Sequence, residues 1–154
     1  MKILYINPLR TDITLTLLDE GIVEEVITLE RGDDFAKFPE TVISILHEKN
    51  PEEIWFLLGP GPFTRMRIIT LTLSTLIFSR SIRVKGCHFF DLIDIHHPIL
   101  RANDQEYIIS DSSSGTRLIL VEDIPGGTYM GYGEKNDFTD GRDYIEYIED
   151  WGKI

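Results

Sequence analysis

Residues 54–79 read IWFLLGPGPFTRMRIITLTLSTLIFS. The run Ile54–Leu58 is short and wholly apolar, the pattern of a buried strand. Gly59-Pro60-Gly61-Pro62 follows, and no regular element crosses two glycines and two prolines unbroken. From Ile68 to Ser79 no residue is charged, which predicts a helix buried on most of its circumference. The stretch is therefore strand, tight loop, helix. A loop of this kind can receive an anion on the free N–H groups of the helix start, with Gly59, Gly61, Thr64, Arg65 and Arg67 as the candidate residues. It can equally be a sharp corner, with Thr64 as a simple N-cap. No lysine follows the glycines as a phosphate-binding P-loop requires.

Working outward, Lys2–Ile6 reads as a buried strand and Asn7-Pro8 breaks it. Ile13–Leu18 and Ile22–Leu29 alternate apolar and polar residues about the turn Asp19-Glu20-Gly21, so three strands form an antiparallel meander. Phe35, Phe38, Val42, Ile45 and Leu46 recur at helical spacing. Because proline is tolerated in a first turn, the helix is expected to begin near Pro39 and to run to about Glu48. Beyond the central stretch, Ile82–Lys85 predicts a strand ended by Gly86, and Phe89–Ile95 a short helix closed by Pro98. In the tail, Glu106–Ser110, Thr116–Val121 and Thr128–Tyr132 are candidate strands, and Arg142–Trp151 reads as an amphipathic helix. The expected layout is an α/β lobe over 1–100, in the order β-β-β-α-β-α, and a reduced second lobe over 101–154 with strands and a C-terminal amphipathic helix.

With 154 residues, 42% of them hydrophobic, the chain can build a core without staples. The single cysteine, Cys87, excludes an intramolecular disulfide framework, and its apolar setting predicts a small core residue. The opening MKILYI turns polar at once and no uncharged segment reaches bilayer length, so a cytoplasmic protein without a membrane span is expected. The net charge of −11 disfavours autonomous nucleic-acid binding. Between Glu53 and Asp91, however, there is no acid, while Arg65, Arg67, Arg80, Arg83 and Lys85 form a basic patch. It suits an anionic ligand or an acidic partner, or is a solvated helix end and strand edge.

No nucleophile with a base and an orienting partner can be assembled, so no catalytic residue is assigned. His96-His97 beside Asp91 and Asp94 is the nearest approach to a ligand cluster, but adjacent histidines point in different directions on a helix and no metal site is assigned. His47 and His88 read as packing or helix-end residues, and Ser112–Ser114 with Gly115 as a turn.

The meander followed by alternating helix and strand resembles the ribonuclease H-like lobe of the actin-like ATPase superfamily. GPGPFTRMRI is more specific: it resembles the GPGSFTGLRIG signature of the TsaB (glycoprotease-like, YeaZ-like) family, matching it at Gly59, Pro60, Gly61, Phe63, Thr64, Arg67 and Ile68. The resemblance covers roughly residues 1–95. It departs at Pro62 and Arg65, which replace serine and glycine, and at Asn7-Pro8-Leu9, where the family's first strand ends in an Asp-Thr-Ser-like turn. In the superfamily that aspartate helps to position metal and phosphate. Ile69, Leu71, Leu73 and Thr75 also stand where the family has small residues.

The resemblance implies a non-catalytic scaffold for tRNA threonylcarbamoyladenosine modification. It would bind a TsaD-like catalytic paralogue, or a second copy of itself, through its first two helices. Phe63, Met66, Ile69, Leu71, Leu73, Leu76 and Ile77, with Val42, Ile45 and Leu46, are then the expected interface. The sheet and the tail helix could instead cover that surface. Contact with tRNA would be indirect. No cofactor is expected, and any nucleotide would be held by the partner or at the shared interface. The alternative is a stand-alone, degenerate nucleotide- or anion-binding module of the same superfamily.

Overall fold

The structure, a computed structural model, describes residues 1–9, 12–30, 32, 34–59, 63–91, 98–102, 105–111, 115–124, 129–131 and 144–146. Contacts divide the chain into two compact units, Met1–Phe89 and Phe90–Ile154.

The first unit is built on a five-stranded sheet. Strands β1 (Lys2–Asn7), β2 (Ile13–Asp19) and β3 (Ile22–Leu29) form the antiparallel meander. Asp19 pairs with Ile22 across a two-residue loop, and both loop residues have positive φ, 50° at Glu20 and 78° at Gly21. That twist matches the flanking strands and suits a glycine in the second position. Helix α1 (Asp34–Glu48) leads to β4 (Glu53–Gly59), which pairs in parallel with β1. Helix α2 (Phe63–Ser79) leads to β5 (Arg83–His88), parallel to β4. The order across the sheet is β3-β2-β1-β4-β5.

Strand alternation decides the core. Leu4 and Ile6, Ile13, Leu15 and Leu17, and Ile54 and Phe56 share one face of the sheet and cluster with Phe38, Val42, Ile45 and Leu46 of α1 and Ile69, Leu73 and Leu76 of α2. Ile3, Tyr5, Leu18 and Leu57, on the other face, are also buried.

Two local expectations are corrected here. Helix α1 starts at Asp34, so Pro39 lies in its second turn rather than its first. The proline forfeits the bond its nitrogen would give to the carbonyl of residue 35, and the burial of Phe38, Val42, Ile45 and Leu46 outweighs that loss. Strand β5 also continues through Gly86 to His88. A Cβ on Gly86 would lie 2.5 Å from Leu58 Cδ1, so the glycine is required by the close approach of that side chain rather than by a strand end.

After β5 a 3-10 turn at Phe89–Asp91 stands where a short helix was expected to begin; residues 92–95 of that expected helix and the His96-His97 pair lie outside the described residues. Pro98 opens β6 (Pro98–Arg101), where proline is tolerated as a first strand residue. It is followed by β7 (Glu106–Asp111), β8 (Gly115–Leu120), a second 3-10 turn (Val121–Asp123), β9 (Tyr129–Gly131) and β10 (Tyr144–Glu146). The order is β10-β9-β6-β7-β8, with β6, β7 and β8 antiparallel and β6, β9 and β10 parallel. Counted from its own first strand, this is the order of the first sheet again. Ile99, Tyr107, Ile109 and Ile124 form its core.

The expected helix Arg142–Trp151 is overturned at Tyr144–Glu146, which is strand β10, paired in parallel with Tyr129–Gly131. Tyr-Ile-Glu favours a pleated surface as readily as a helix, and β9 supplies the backbone partners that decide between them. The flanking residues lie outside the described ones.

Candidate interaction surface

Helix α2 has two unlike faces. Ile69, Leu73 and Leu76 recur at helical spacing and are buried, with Met66 and Ile68 partly covered beside them. The opposite face carries Phe63, Leu71, Ile77 and Phe78, which are 73%, 63%, 50% and 96% exposed. Thr64, Thr70, Ser74 and Thr75 share that exposure, and Arg67 is the one charge among them. The Arg67 guanidinium lies 4.8 Å from the centroid of the Phe63 ring, so even this cation rests on an aromatic face. On α1, Ile43 is exposed.

The ten residues expected at an interface thus divide. Phe63, Leu71 and Ile77 are open to a partner, and Met66 is half-buried. Ile69, Leu73, Leu76, Val42, Ile45 and Leu46 are corrected to core positions, because the sheet of their own unit already covers them. Phe78, the most exposed of the large apolar side chains on α2, was not among the expected residues. Its signal was available: Leu71 to Phe78 is a heptad step along one face.

The candidate anion loop is described only in part. Gly59 ends β4 with φ 118°, a conformation that favours glycine, and Gly61 lies outside the described residues. Thr64 is exposed. Arg65 reaches away from its own loop, and its Nη1 donates to the Pro8 carbonyl oxygen at 3.1 Å. That carbonyl belongs to the turn after β1. In the same turn the buried Asn7 accepts at Oδ1 from the Leu9 backbone N–H at 2.9 Å.

The remaining bases gather at β5. Parallel pairing sets Arg83 opposite Glu53 and Lys85 opposite Trp55. Glu53 is only 2% exposed, yet charged: Oε1 lies 3.2 Å from the Arg83 guanidinium, and Oε2 accepts from Lys85 Nζ at 2.9 Å and from the Trp55 indole N–H at 2.9 Å. The bond from Lys85, then that from Trp55, hold its carboxyl below the usual glutamate range despite burial. Lys85 Nζ also sits 4.6 Å from the Trp55 ring centroid. Sequence reasoning found the bases but not Glu53, because only the parallel pairing of β4 with β5 brings them together.

Among the described residues no group of three histidine, cysteine, aspartate or glutamate side chains could hold a metal ion. No described helix is long and apolar enough to cross a membrane.

No protein-family model and no curated protein matches the sequence. Solved structures do match. An uncharacterized protein with similarity to peptidase YeaZ from Pseudomonas aeruginosa superposes with a TM-score of 0.65 at 14% identity, covering 97% of this chain and 85% of that one. YeaZ from Pseudomonas aeruginosa superposes with a TM-score of 0.64 at 16% identity, covering 85% and 75%. The chain has the YeaZ fold. Its first unit has the ribonuclease H-like fold expected from the β-β-β-α-β-α order. The Thermus thermophilus RuvC structure in complex with a Holliday junction matches 60% of this chain and 67% of its own, with a TM-score of 0.51 at 11% identity.

Proposed function

We propose that the chain is a divergent TsaB-like scaffold subunit that binds a TsaD-like catalytic partner in tRNA threonylcarbamoyladenosine formation and contributes no chemistry of its own. The observation that carries this reading is the outward face of α2, with Phe63, Leu71, Ile77 and Phe78 exposed on a helix that has no charge from Ile68 to Ser79. An uncharged helical face in water is a surface for another protein. The YeaZ fold and the seven residues shared with the family signature support the choice of partner. The contact includes the exposed side of α1 around Ile43. The protein works in the cytoplasm, and tRNA reaches it only through the partner. The division between the units, after Phe89, falls eleven residues before the boundary expected from the sequence between a lobe over 1–100 and one over 101–154.

The test is co-purification with a TsaD-like protein, followed by calorimetry on the purified pair. A complex at micromolar concentration and loss of the modified adenosine in a deletion strain are expected. Absence of the complex, with unchanged modification in that strain, overturns the proposal. Sedimentation of the isolated chain distinguishes a homodimer on the same helix face. Titration with ATP and ADP tests the alternative of a stand-alone nucleotide-binding module, for which binding lost in Arg67→Ala would speak.

A further inference from the structure

The basic edge of the first sheet has a different construction from the face of α2. β5 ends the sheet order, so among the described residues it has a paired neighbour in the sheet on one side only. Charged residues on such a strand protect against unwanted pairing. Protection asks only that the charge be there. It does not ask that it be held. Here Arg83 and Lys85, exposed by 70% and 49%, are both fixed by a carboxylate that is almost wholly buried. The Trp55 indole anchors the same carboxylate and lies beneath the lysine. Two cations against one carboxylate leave a net positive charge at the edge, and no acid occurs from Ile54 to Phe90 to cancel it. The cations have already lost part of their side-chain freedom, which lowers what a ligand must spend to order them.

We propose that β5 is a docking strand for an extended protein segment carrying two carboxylates at alternate positions, added to the sheet edge beside Arg83 and Lys85. Side chains of an added strand on one face repeat every second residue, as Arg83 and Lys85 do, and directly opposite pairs come within about 5 Å. Main-chain bonds along the edge supply affinity, and the two cations select the segment. The chain's net charge of −11 does not prevent this, because that field is screened over about 8 Å at physiological salt. It does distinguish the occupant. A short acidic segment stays over the patch, whereas a nucleic-acid strand continues past a six-residue strand along a chain of net charge −11.

The test uses the full chain and a short capped peptide of alternating glutamate and valine, titrated by calorimetry at low and physiological salt. Trp55 fluorescence is recorded alongside in a Trp151→Phe background, since the chain has two tryptophans. Binding is expected, with the indole signal changing as Lys85 is drawn to a new partner. Arg83→Ala and Lys85→Ala should each weaken it about tenfold. Each change leaves the buried Glu53 with one cationic partner, so the urea midpoint of each variant is measured beside its binding. The same peptide with N-methylated backbone amides should not bind, and neither should a peptide with lysine in place of glutamate. Three results overturn the proposal: no binding of the glutamate peptide, equal binding of the N-methylated peptide, or tighter binding of a single-stranded oligouridylate. The α2 surface plays no part in this test, so Leu71→Lys should leave peptide binding unchanged.

Discussion

Two leucines on α2 separate the faces of that helix. Leu73 is 2% exposed and belongs to the core cluster. Leu73→Ala removes buried methyl groups and leaves a cavity, which costs roughly 2–5 kcal/mol. That is a large part of the 5–15 kcal/mol typical of a domain. Leu71 is 63% exposed. Leu71→Lys gives up only the covered third of a leucine, roughly 0.5–1 kcal/mol, and lysine is a good helix former. Phe78 is 96% exposed and in the last turn, where a cation suits the helix dipole, so Phe78→Lys should be neutral for folding. For binding the ranking reverses. Each side chain, once covered by a partner, contributes roughly 1.5–3 kcal/mol, or about tenfold to 150-fold in affinity. Leu71→Lys with Phe78→Lys should therefore weaken the partner complex by at least about 100-fold while the urea midpoint barely moves. Urea unfolding followed by circular dichroism gives the first quantity and calorimetry against the TsaD-like protein the second. If Leu71→Lys destabilises the fold as much as Leu73→Ala does, the face is not free. If the double variant folds normally and binds as tightly as before, α2 is not the contact.

Glu53 gives a pH test. Its carboxyl is depressed in the folded state, so its contribution is present above the ordinary glutamate range, about 4.3, and is lost as pH falls through the folded value. Glu53→Gln should lower stability near neutrality by about 1–2 kcal/mol, since its two cationic partners remain solvated. The gap to the natural protein should then narrow on acidification; a widening gap, seen in urea midpoints, contradicts the assignment. Gly86→Ala should destabilise by about 1 kcal/mol by displacing Leu58. Adding Leu58→Ala should recover part of that loss, and strictly additive effects in the double-mutant cycle would show that the two side chains do not meet. Arg65→Ala removes the bond to Pro8 and should lower stability by about 1 kcal/mol. An unchanged urea midpoint would mean that this bond is idle.

The first unit was legible because its signals are periodic and close in sequence. ITLTLL and IVEEVITL alternate, Phe38, Val42, Ile45 and Leu46 follow a helical stripe, and GPGP marks a corner. The second unit was harder to read for a physical reason. β6 has four residues and β9 and β10 have three each, too few to distinguish one period from another. Their state is fixed by neighbours distant in sequence, which is why Tyr144–Glu146 reads as helix and is strand. The burial of α2 misled differently. An uncharged helix looks covered all round, but threonine, serine, leucine and phenylalanine share its outer face, and only exposure distinguishes that face from the core one. Glu53 carried no local signal, because its partners lie on a strand that follows a whole helix later.

Two departures from the family signature act together at the end of β1. A phosphate at such a turn needs free backbone N–H groups, and a cation needs free oxygens or a carboxylate. Here the Leu9 N–H is taken by Asn7 Oδ1, and the Pro8 carbonyl by Arg65. Pro8 has no N–H to offer, and Asn7 brings no charge. Arg65 comes from the position where the family pattern has glycine, and it places a permanent cation against this turn. The two bonds together tie the turn after β1 to the start of α2. Fixing α2 at its N-terminal end also fixes the pitch at which Phe63, Leu71 and Phe78 are presented. Arg65→Ala should therefore weaken partner binding even though Arg65 itself lies off the exposed face.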